Sequence, residues 1–191
     1  PQGACADAAG ADSRRMTRSE LTKDICRQGG EVVAIVLLAL FVAWVHGRGW
    51  LGGHATCLLV VALALAKTIF FFAENLTHIL LATRDNMPYH KVLGLMGVNM
   101  AQITLSFALD FWLLETADAE SFSSINAAWS RPELLFEFFF YSVLNFSFFG
   151  FGDVTPLTVP AKLVTMMEVL LAFFTVIFLL SDFVSLKDSL R

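Results

Sequence analysis

Apolar residues along this chain fall into four long runs that are separated by more polar stretches. The runs cover residues 32–46, 55–81, 92–114 and 158–183. A helix of about 20 apolar residues crosses the roughly 30 Å hydrocarbon core of a bilayer. Each run reaches about that length when its flanking residues are included, so the pattern predicts four transmembrane helices.

A fifth and shorter apolar segment precedes the last run. Ser130 and Glu133 form an S-x-x-E capping box, and Pro132 between them is tolerated in the first turn of a helix. From this start to Phe146 the helix spans about 15 residues, or roughly 22 Å at 1.5 Å per residue. Because this is shorter than a bilayer, the segment predicts a re-entrant helix whose partially negative C-terminal end faces a cation.

Composition supports a membrane protein. Of the 191 residues, 57% are hydrophobic, and the mean hydropathy is +0.67, well above that of a soluble domain. The net charge of -4 provides no basic surface for nucleic acid. The three cysteines lack metal-ligand spacing, and no HExxH, paired Glu-x-x-His or Ser/His/Asp pattern indicates an enzyme. We therefore expect no catalytic site, metal site or cofactor.

The loop that follows the short helix carries the most specific chemistry, FFGFGDVTP at residues 148–156. A dehydrated cation in a membrane needs oxygen ligands in place of its hydration shell, and rings of backbone carbonyls supply them. Aligned carbonyls require backbone dihedrals that Gly150 and Gly152 adopt at little steric cost. Phe151 is expected to point away from the pore and pack, and Asp153 places a carboxylate at the mouth, where it attracts cations.

This loop resembles the TVGYGD or TIGFGD signature of potassium-channel pore modules, and the resemblance extends over residues 92–183. It implies an outer helix, a pore helix, a filter and an inner helix, which together pass potassium or another monovalent cation. The filter residues that it implies are Phe148, Phe149, Gly150, Phe151, Gly152 and Asp153. The pore-supporting residues that it implies are Ser142, Glu168 and Ala172.

The chain departs from this family pattern at Phe148, where a threonine hydroxyl normally helps to form the innermost ion site. A phenyl ring offers no comparable oxygen, so we expect that ion site to be weak or missing. Ala172 stands where many inner helices of the family carry a hinge glycine, so we expect a less sharp bend there.

The patterns together predict an all-α membrane protein with four transmembrane helices and a re-entrant pore helix and filter loop between the third and fourth. We expect a flexible cytoplasmic tail at residues 1–30, a two-span helical hairpin at 31–91 and the pore module at 92–191. Since one chain carries one filter loop, the resemblance implies a homotetramer in the lipid bilayer.

Lys67 lies near the centre of the second apolar run, with Glu74 seven residues later on the same helical face. A charged group at that depth costs about 2.5–3.5 kcal/mol on insertion, so Lys67 should face protein, water or a carboxylate. Polar residues of the third run are within possible reach: Asn99, Gln102, Thr104 and Ser106. They indicate either interhelical polar contacts or, less simply, an ion pathway.

The distribution of basic residues predicts the orientation. One side has more of them: Arg18, Lys23, Arg27, Arg84, Lys91, Lys187 and Arg191. The other side has Arg48, Arg131 and Lys162. This bias places both termini in the cytoplasm and the polar segment at 115–131 outside, in the plasma (cell inner) membrane.

The sequence thus predicts a passive cation channel, with potassium as the expected ion, rather than an enzyme. The alternative is a non-conducting accessory or structural membrane subunit that retains a channel-like fold. Four copies around one axis favour the channel, whereas one copy beside other subunits favours the accessory role.

Overall fold

The structure is a computed structural model, and it describes residues 29–85, 89–126, 128–150 and 152–189. The tail expected at residues 1–30 lies outside these ranges except for its last two residues. Phe151, at the centre of the predicted filter, lies outside them as well.

Five helices account for the regular structure of the described residues. They are α1 (Gly29–Gly47), α2 (Gly53–Asp85), α3 (Tyr89–Ala117), α4 (Arg131–Phe146) and α5 (Val159–Ser189). Phe122 and Pro156 form an isolated antiparallel β-bridge. The all-α prediction is confirmed.

Four of these helices are long and apolar enough to cross a membrane. Within the described residues the membrane-crossing stretches are Gly29–Gly47, Gly53–Thr77, Met96–Ala117 and Val159–Phe178. They coincide with the four apolar runs, so the prediction of four spans is confirmed, and the helices extend a few residues beyond the predicted ends. The helix α4 is not among them, and its 16 residues correspond to about 24 Å at 1.5 Å per residue.

The chain divides into two compact units, Pro1–Leu37 and Leu38–Arg191. In the first unit the structure describes residues 29–37, which are helical. The second unit contains the rest of α1 and the other four helices.

In the second unit, α2, α3 and α5 pack against one another, and α4 packs against α3 and α5. The packing of α2 on α5 is more extensive than that of α3 on α5. The backbone at the start of α2 closely approaches the backbone at the end of α3. A Cβ atom on Gly53 would lie 2.8 Å from the carbonyl oxygen of Ala117. Glycine at residue 53 therefore permits the start of α2 to meet the end of α3.

A cluster of buried aromatic rings holds α4 against α3. Phe111 of α3 contacts Tyr141 of α4 with ring centroids 5.1 Å apart, and Phe122 contacts Phe138 at 5.0 Å. The centroids of Phe111 and Phe122 are 5.6 Å apart, and all three pairs have the edge-to-face geometry that aromatic rings prefer. This cluster fixes α4 beside the C-terminal half of α3.

The polar loop after α3 folds back onto the chain that follows the predicted filter. The Ser123 amide donates to the carbonyl of Thr155 at 2.9 Å, and the Leu157 amide donates to the carbonyl of Ser121 at 2.9 Å. The Glu115 carboxylate accepts a bond of 3.1 Å from the amide of Phe122. These bonds position the residues that lead from the filter loop into α5.

Candidate functional site

The start of α4 is fixed by the predicted capping box. The backbone amide of Ser130 donates to the carboxylate of Glu133 at 2.7 Å, and Ser130 is extended, as a helix N-cap should be. Pro132 lies in the first turn, where the absence of an amide hydrogen costs nothing. The hydrogen bond from Ser130 also lowers the pKa of the exposed Glu133 carboxyl below its ordinary value.

The end of α4 is closed by a Schellman motif. The amide of Phe149 donates to the carbonyl of Leu144 at 3.0 Å, and the amide of Phe148 donates to the carbonyl of Asn145 at 3.1 Å. Phe148 has a φ of 59°, which is the left-handed conformation that this motif requires and that usually selects glycine. A phenylalanine in this conformation carries a steric cost of about 1–2 kcal/mol.

This turn changes the expected geometry at the inner end of the filter. The sequence predicted aligned backbone carbonyls in this loop, but Phe148 forms the helix-closing turn instead. The physical reason is that the last carbonyls of α4 need donors, and the amides of Phe148 and Phe149 provide them. The side chains of Phe148 and Phe149 remain 48% and 67% exposed on the single chain.

The other predicted filter residues follow this turn without forming a strand in the described part of the loop. Gly150 has a φ of 57°, and a Cβ atom there would meet nothing within 4 Å. Gly152 is not in the left-handed region, and a Cβ atom on it would lie 3.3 Å from Cδ1 of Leu144. Asp153 is exposed. The left-handed conformation that glycine favours therefore occurs at Gly150 and not at Gly152.

Behind the end of α4, the structure brings together the predicted supporting residues Ser142 and Glu168. The Glu168 side chain of α5 is fully buried and accepts hydrogen bonds from the Ser142 hydroxyl and from Nδ2 of Asn145, the latter at 3.2 Å. A buried carboxylate needs such donors because burial removes its water. Glu168 thus links α5 to the face of α4 that carries Ser142 and Asn145.

The same serine also contacts α3. The Ser142 Oγ atom lies 2.8 Å from the carbonyl oxygen of Thr104. A hydroxyl group has a single hydrogen, so Ser142 donates to Thr104 or to Glu168 at any one time. Its position at the meeting point of three helices makes it a joint between the pore helix and both spans.

Ala172 lies one helical turn after Glu168 and is fully buried within the single chain. Its methyl group therefore packs against other parts of the same chain. Thr165 lies one turn before Glu168 on α5. Its Oγ1 atom is 3.3 Å from the hydroxyl oxygen of Tyr141, which adds a second polar link between α4 and α5.

Asn145 was missed by the sequence analysis, although it contributes both to the turn that closes α4 and to the bonds around Glu168. Its side chain donates to Glu168, and its carbonyl accepts the Phe148 amide that closes the helix. The available signal was position, because Asn145 lies three residues after Ser142 and therefore on nearly the same helical face.

Asp110 was also missed, and it is the partner of Lys67. The Lys67 Nζ atom lies 2.7 Å from Oδ1 and 2.6 Å from Oδ2 of Asp110, and 3.4 Å from the carbonyl oxygen of Ser106. Asn99 and Thr104, which the sequence placed within possible reach of Lys67, bond to other groups. The amide of Asn99 instead donates to Asn75, and the hydroxyl of Thr104 bonds to carbonyls of its own helix. The signal for Asp110 was an acidic residue inside an apolar run that neighbours the buried lysine.

Comparison with known proteins supports the resemblance at this site. The family model described as "Ion channel" matches residues 99–187, which include most of α3, all of α4 and the filter loop, and nearly all of α5. This stretch therefore resembles an ion-channel pore region of the potassium-channel type, in which the pore helix lies between two spans, and the match is to a channel family and not to an enzyme family. No curated protein matches the chain. No solved structure matches it.

Proposed function

We propose that residues 99–187, the region that matches ion channels, form one quarter of a pore that conducts cations passively across a membrane. The observation that carries this proposal is the order of elements in the matched region: a span, a helix too short to cross, a GFGD loop and a second span. Backbone carbonyls of the loop are the proposed cation ligands. The C-terminal end of α4 faces this loop, and its partial negative charge favours a cation.

The proposal includes assembly of four identical chains. One loop provides one side of each carbonyl ring, and several groups on this loop and on α4 are exposed on the single chain. These groups include Phe148, Phe149 and Asp153, together with apolar residues of α4 such as Phe136 and Phe140. Contact with neighbouring chains or lipid would cover the apolar residues. Within this arrangement residues 31–91 form an additional two-span hairpin beside the pore module at 92–191, and residues 1–30 form a tail.

Potassium is the proposed principal ion, because the GFGD sequence also occurs in the TIGFGD signature of potassium-channel filters. The residues proposed to form the filter are Phe148, Phe149, Gly150, Phe151, Gly152 and Asp153. Phe148 lacks a hydroxyl group and also closes α4, so the proposed pore has fewer ion sites in series than a TVGYG filter. The expected consequence is a weaker preference for potassium over sodium.

The proposed location is the plasma (cell inner) membrane with both termini in the cytoplasm. The support for this orientation is the excess of basic residues on one side of the four spans. Single cysteines at Ser123 and Ser189 should react with a membrane-impermeant reagent from opposite sides. Reaction from the same side would contradict the orientation.

The second candidate is an accessory or structural membrane subunit. One specific observation favours it: the turn at Phe148 uses two filter positions to close a helix, which leaves less extended chain for carbonyl rings. Mass measurement in mild detergent separates the two candidates. A channel should have four times the chain mass of 21.1 kDa, whereas an accessory subunit should be a monomer that associates with other proteins.

A further inference from the structure

A buried polar cluster joins three helices further along α5 than Glu168. It consists of Asn75 of α2, Asn99 of α3 and Thr175 of α5, and we call it the asparagine node. The Asn75 Nδ2 atom donates to Oγ1 of Thr175 at 2.9 Å, and its Oδ1 atom accepts from Nδ2 of Asn99. The three side chains are at most 3% exposed. Asn75 thus uses both ends of its amide to link two other helices.

Thr175 of the node lies on α5, the helix that corresponds to the inner helix of the proposed pore. Thr175 is three residues after Ala172 and seven after Glu168, so it is one to two turns further from the filter loop on α5. Its hydroxyl also donates to the carbonyl of Leu171 at 2.8 Å. That bond fixes the rotamer of Thr175 and leaves its oxygen lone pairs available to accept from Asn75.

Apolar packing beside the node holds the same two helices together. Phe72, one turn before Asn75, contacts Phe174 with ring centroids 5.3 Å apart and Phe178 at 5.8 Å. Among helices α2 to α5, the packing of α2 on α5 is about as extensive as that of α3 on α4. A displacement of this part of α5 away from α2 must therefore break the Asn75–Thr175 bond and separate these rings.

We infer that Asn75 is a positioning residue that holds α5 in the conformation seen here, so that α2 controls the opening and closing of the pore. This inference rests on the proposed function and extends it to regulation. Apolar side chains pack about equally well against lipid and against protein, whereas a buried amide in a membrane requires a polar partner. The polar bond therefore makes the α2–α5 contact specific to one position of α5.

The test is single-channel recording from the purified protein in planar bilayers. Thr175→Val removes the hydroxyl with little change in volume, and Thr175→Ser retains it. One interhelical hydrogen bond in a membrane protein changes an equilibrium by about threefold on average. We expect Thr175→Val to shift the ratio of open to closed times by about threefold or more, and Thr175→Ser to stay near wild type. Because the filter is untouched, the unitary conductance and the ion selectivity should be unchanged.

Thr68→Val is the matched control. Thr68 lies on α2, the helix that carries Asn75, and its hydroxyl bonds to the carbonyl of Ala64 in the same helix at 2.8 Å. Its removal should leave the open probability at the wild-type value. A structural defect without a role in gating would lower the yield of folded protein in Thr175→Val but would not shift the open probability of the channels that form.

A cross-link gives the direction of the effect and serves if Thr175→Val does not fold. Cysteines at Phe72 and Phe178, with the native cysteines replaced by serine, can be joined by a short bifunctional thiosulfonate. The link should hold α2 against α5 and drive the open probability to one extreme, and Thr175→Val should move it in the opposite direction.

Two results would overturn the inference: wild-type gating in both the Thr175→Val and the cross-linked protein, or a shift of both in the same direction. If the wild-type tetramer conducts no ions, the proposed function fails and the regulatory role fails with it. Currents with unchanged gating reject the regulatory role alone.

Discussion

The ammonium group of Lys67 lies 2.6 Å from a carboxylate oxygen of Asp110, and the two side chains are only 14% and 4% exposed. The pair joins α2 to α3 at the depth of the membrane-crossing stretches of both helices. An isolated charge at that depth is costly, so each group makes the presence of the other tolerable. The ion pair therefore fixes the packing of α2 against α3.

Removal of one charge from this pair should destabilise the protein strongly. Lys67→Met leaves the Asp110 carboxylate buried without its cation, and broken buried pairs typically cost about 3–5 kcal/mol. We expect a clear fall in the midpoint of thermal unfolding in detergent. Lys162→Met, at an exposed position near the start of α5, is the control and should change the midpoint little.

The paired variant Lys67→Met with Asp110→Leu tests the same account from the other side. Replacing both charges by apolar groups of similar volume is often close to neutral for stability. The double variant should therefore recover most of the stability that the single variant loses. A single variant as stable as wild type would contradict a role for this ion pair.

The joint at Ser142 gives a second prediction. Ser142→Ala removes the hydroxyl that donates to the buried carboxylate of Glu168 or to the carbonyl of Thr104. A buried acceptor that loses its donor costs about 1–3 kcal/mol. Ser147→Ala, at the residue that directly follows α4, is the matched control, because its exposed hydroxyl bonds to the carbonyl of Val143 in α4. Thermal unfolding in detergent should show a loss for Ser142→Ala that clearly exceeds the loss for Ser147→Ala.

The capping box at the start of α4 gives a prediction about pH. The hydrogen bond from the Ser130 amide lowers the pKa of the Glu133 carboxyl, so the ionised form is the one that stabilises the fold. Its contribution is complete above the ordinary glutamate pKa of about 4.3 and is lost as the pH falls through the lower pKa of the folded protein.

Glu133→Gln retains a side-chain acceptor but never carries the charge. The difference in unfolding midpoint between wild type and Glu133→Gln should be constant near neutral pH and should vanish in acid, where the wild-type carboxyl is protonated. Glu120→Gln, which changes an exposed glutamate of the loop after α3, is the control. A difference that persists unchanged at the lowest pH would show that the charge of Glu133 does not support the helix end.

How far the sequence predicts this fold depends on the range of each interaction. The four spans follow from apolar runs, and the start of α4 follows from Ser130 and Glu133, because both signals lie within a few residues of the structure that they determine. The Lys67–Asp110 pair was not predicted, because it depends on the vertical register of two antiparallel helices. A lysine side chain reaches over more than one helical turn, so several α3 residues were equally plausible partners.

The end of α4 shows the same limit at the site itself. Sequence favoured Gly150 and Gly152 as the positions for unusual backbone dihedrals, and of these two Gly150 alone has a positive φ. The helix nevertheless closes two residues earlier, at Phe148, where no residue preference points to a left-handed conformation. The closing bonds to Leu144 and Asn145 depend on where the helix stops against Glu168, which the local sequence does not encode.

Phe148 and Phe149 allow a test of what the turn does to selectivity. In Phe148→Thr with Phe149→Val, a β-branched residue occupies a left-handed position, which is strongly disfavoured. The chain should then favour an extended conformation with a hydroxyl at the inner ion site. We expect the potassium-to-sodium permeability ratio, measured from reversal potentials, to rise above that of wild type.

Phe148→Gly is the matched control for this change. Glycine adopts the left-handed conformation without steric cost, so it should preserve the turn and provide no hydroxyl. Its permeability ratio should stay at or below the wild-type value. If Phe148→Gly raises the ratio as much as the double variant does, removal of the ring explains the effect and the proposed role of the turn is wrong.

The central claim is that four copies of this chain form a pore that conducts cations through the loop after α4. The most direct test is to reconstitute the purified wild-type protein in a planar bilayer with potassium on one side and sodium on the other, and to record current. The account predicts unitary cation currents, with chloride excluded and a reversal potential that favours potassium over sodium. A folded tetramer that passes no current, or one that passes chloride as readily as potassium, would contradict it.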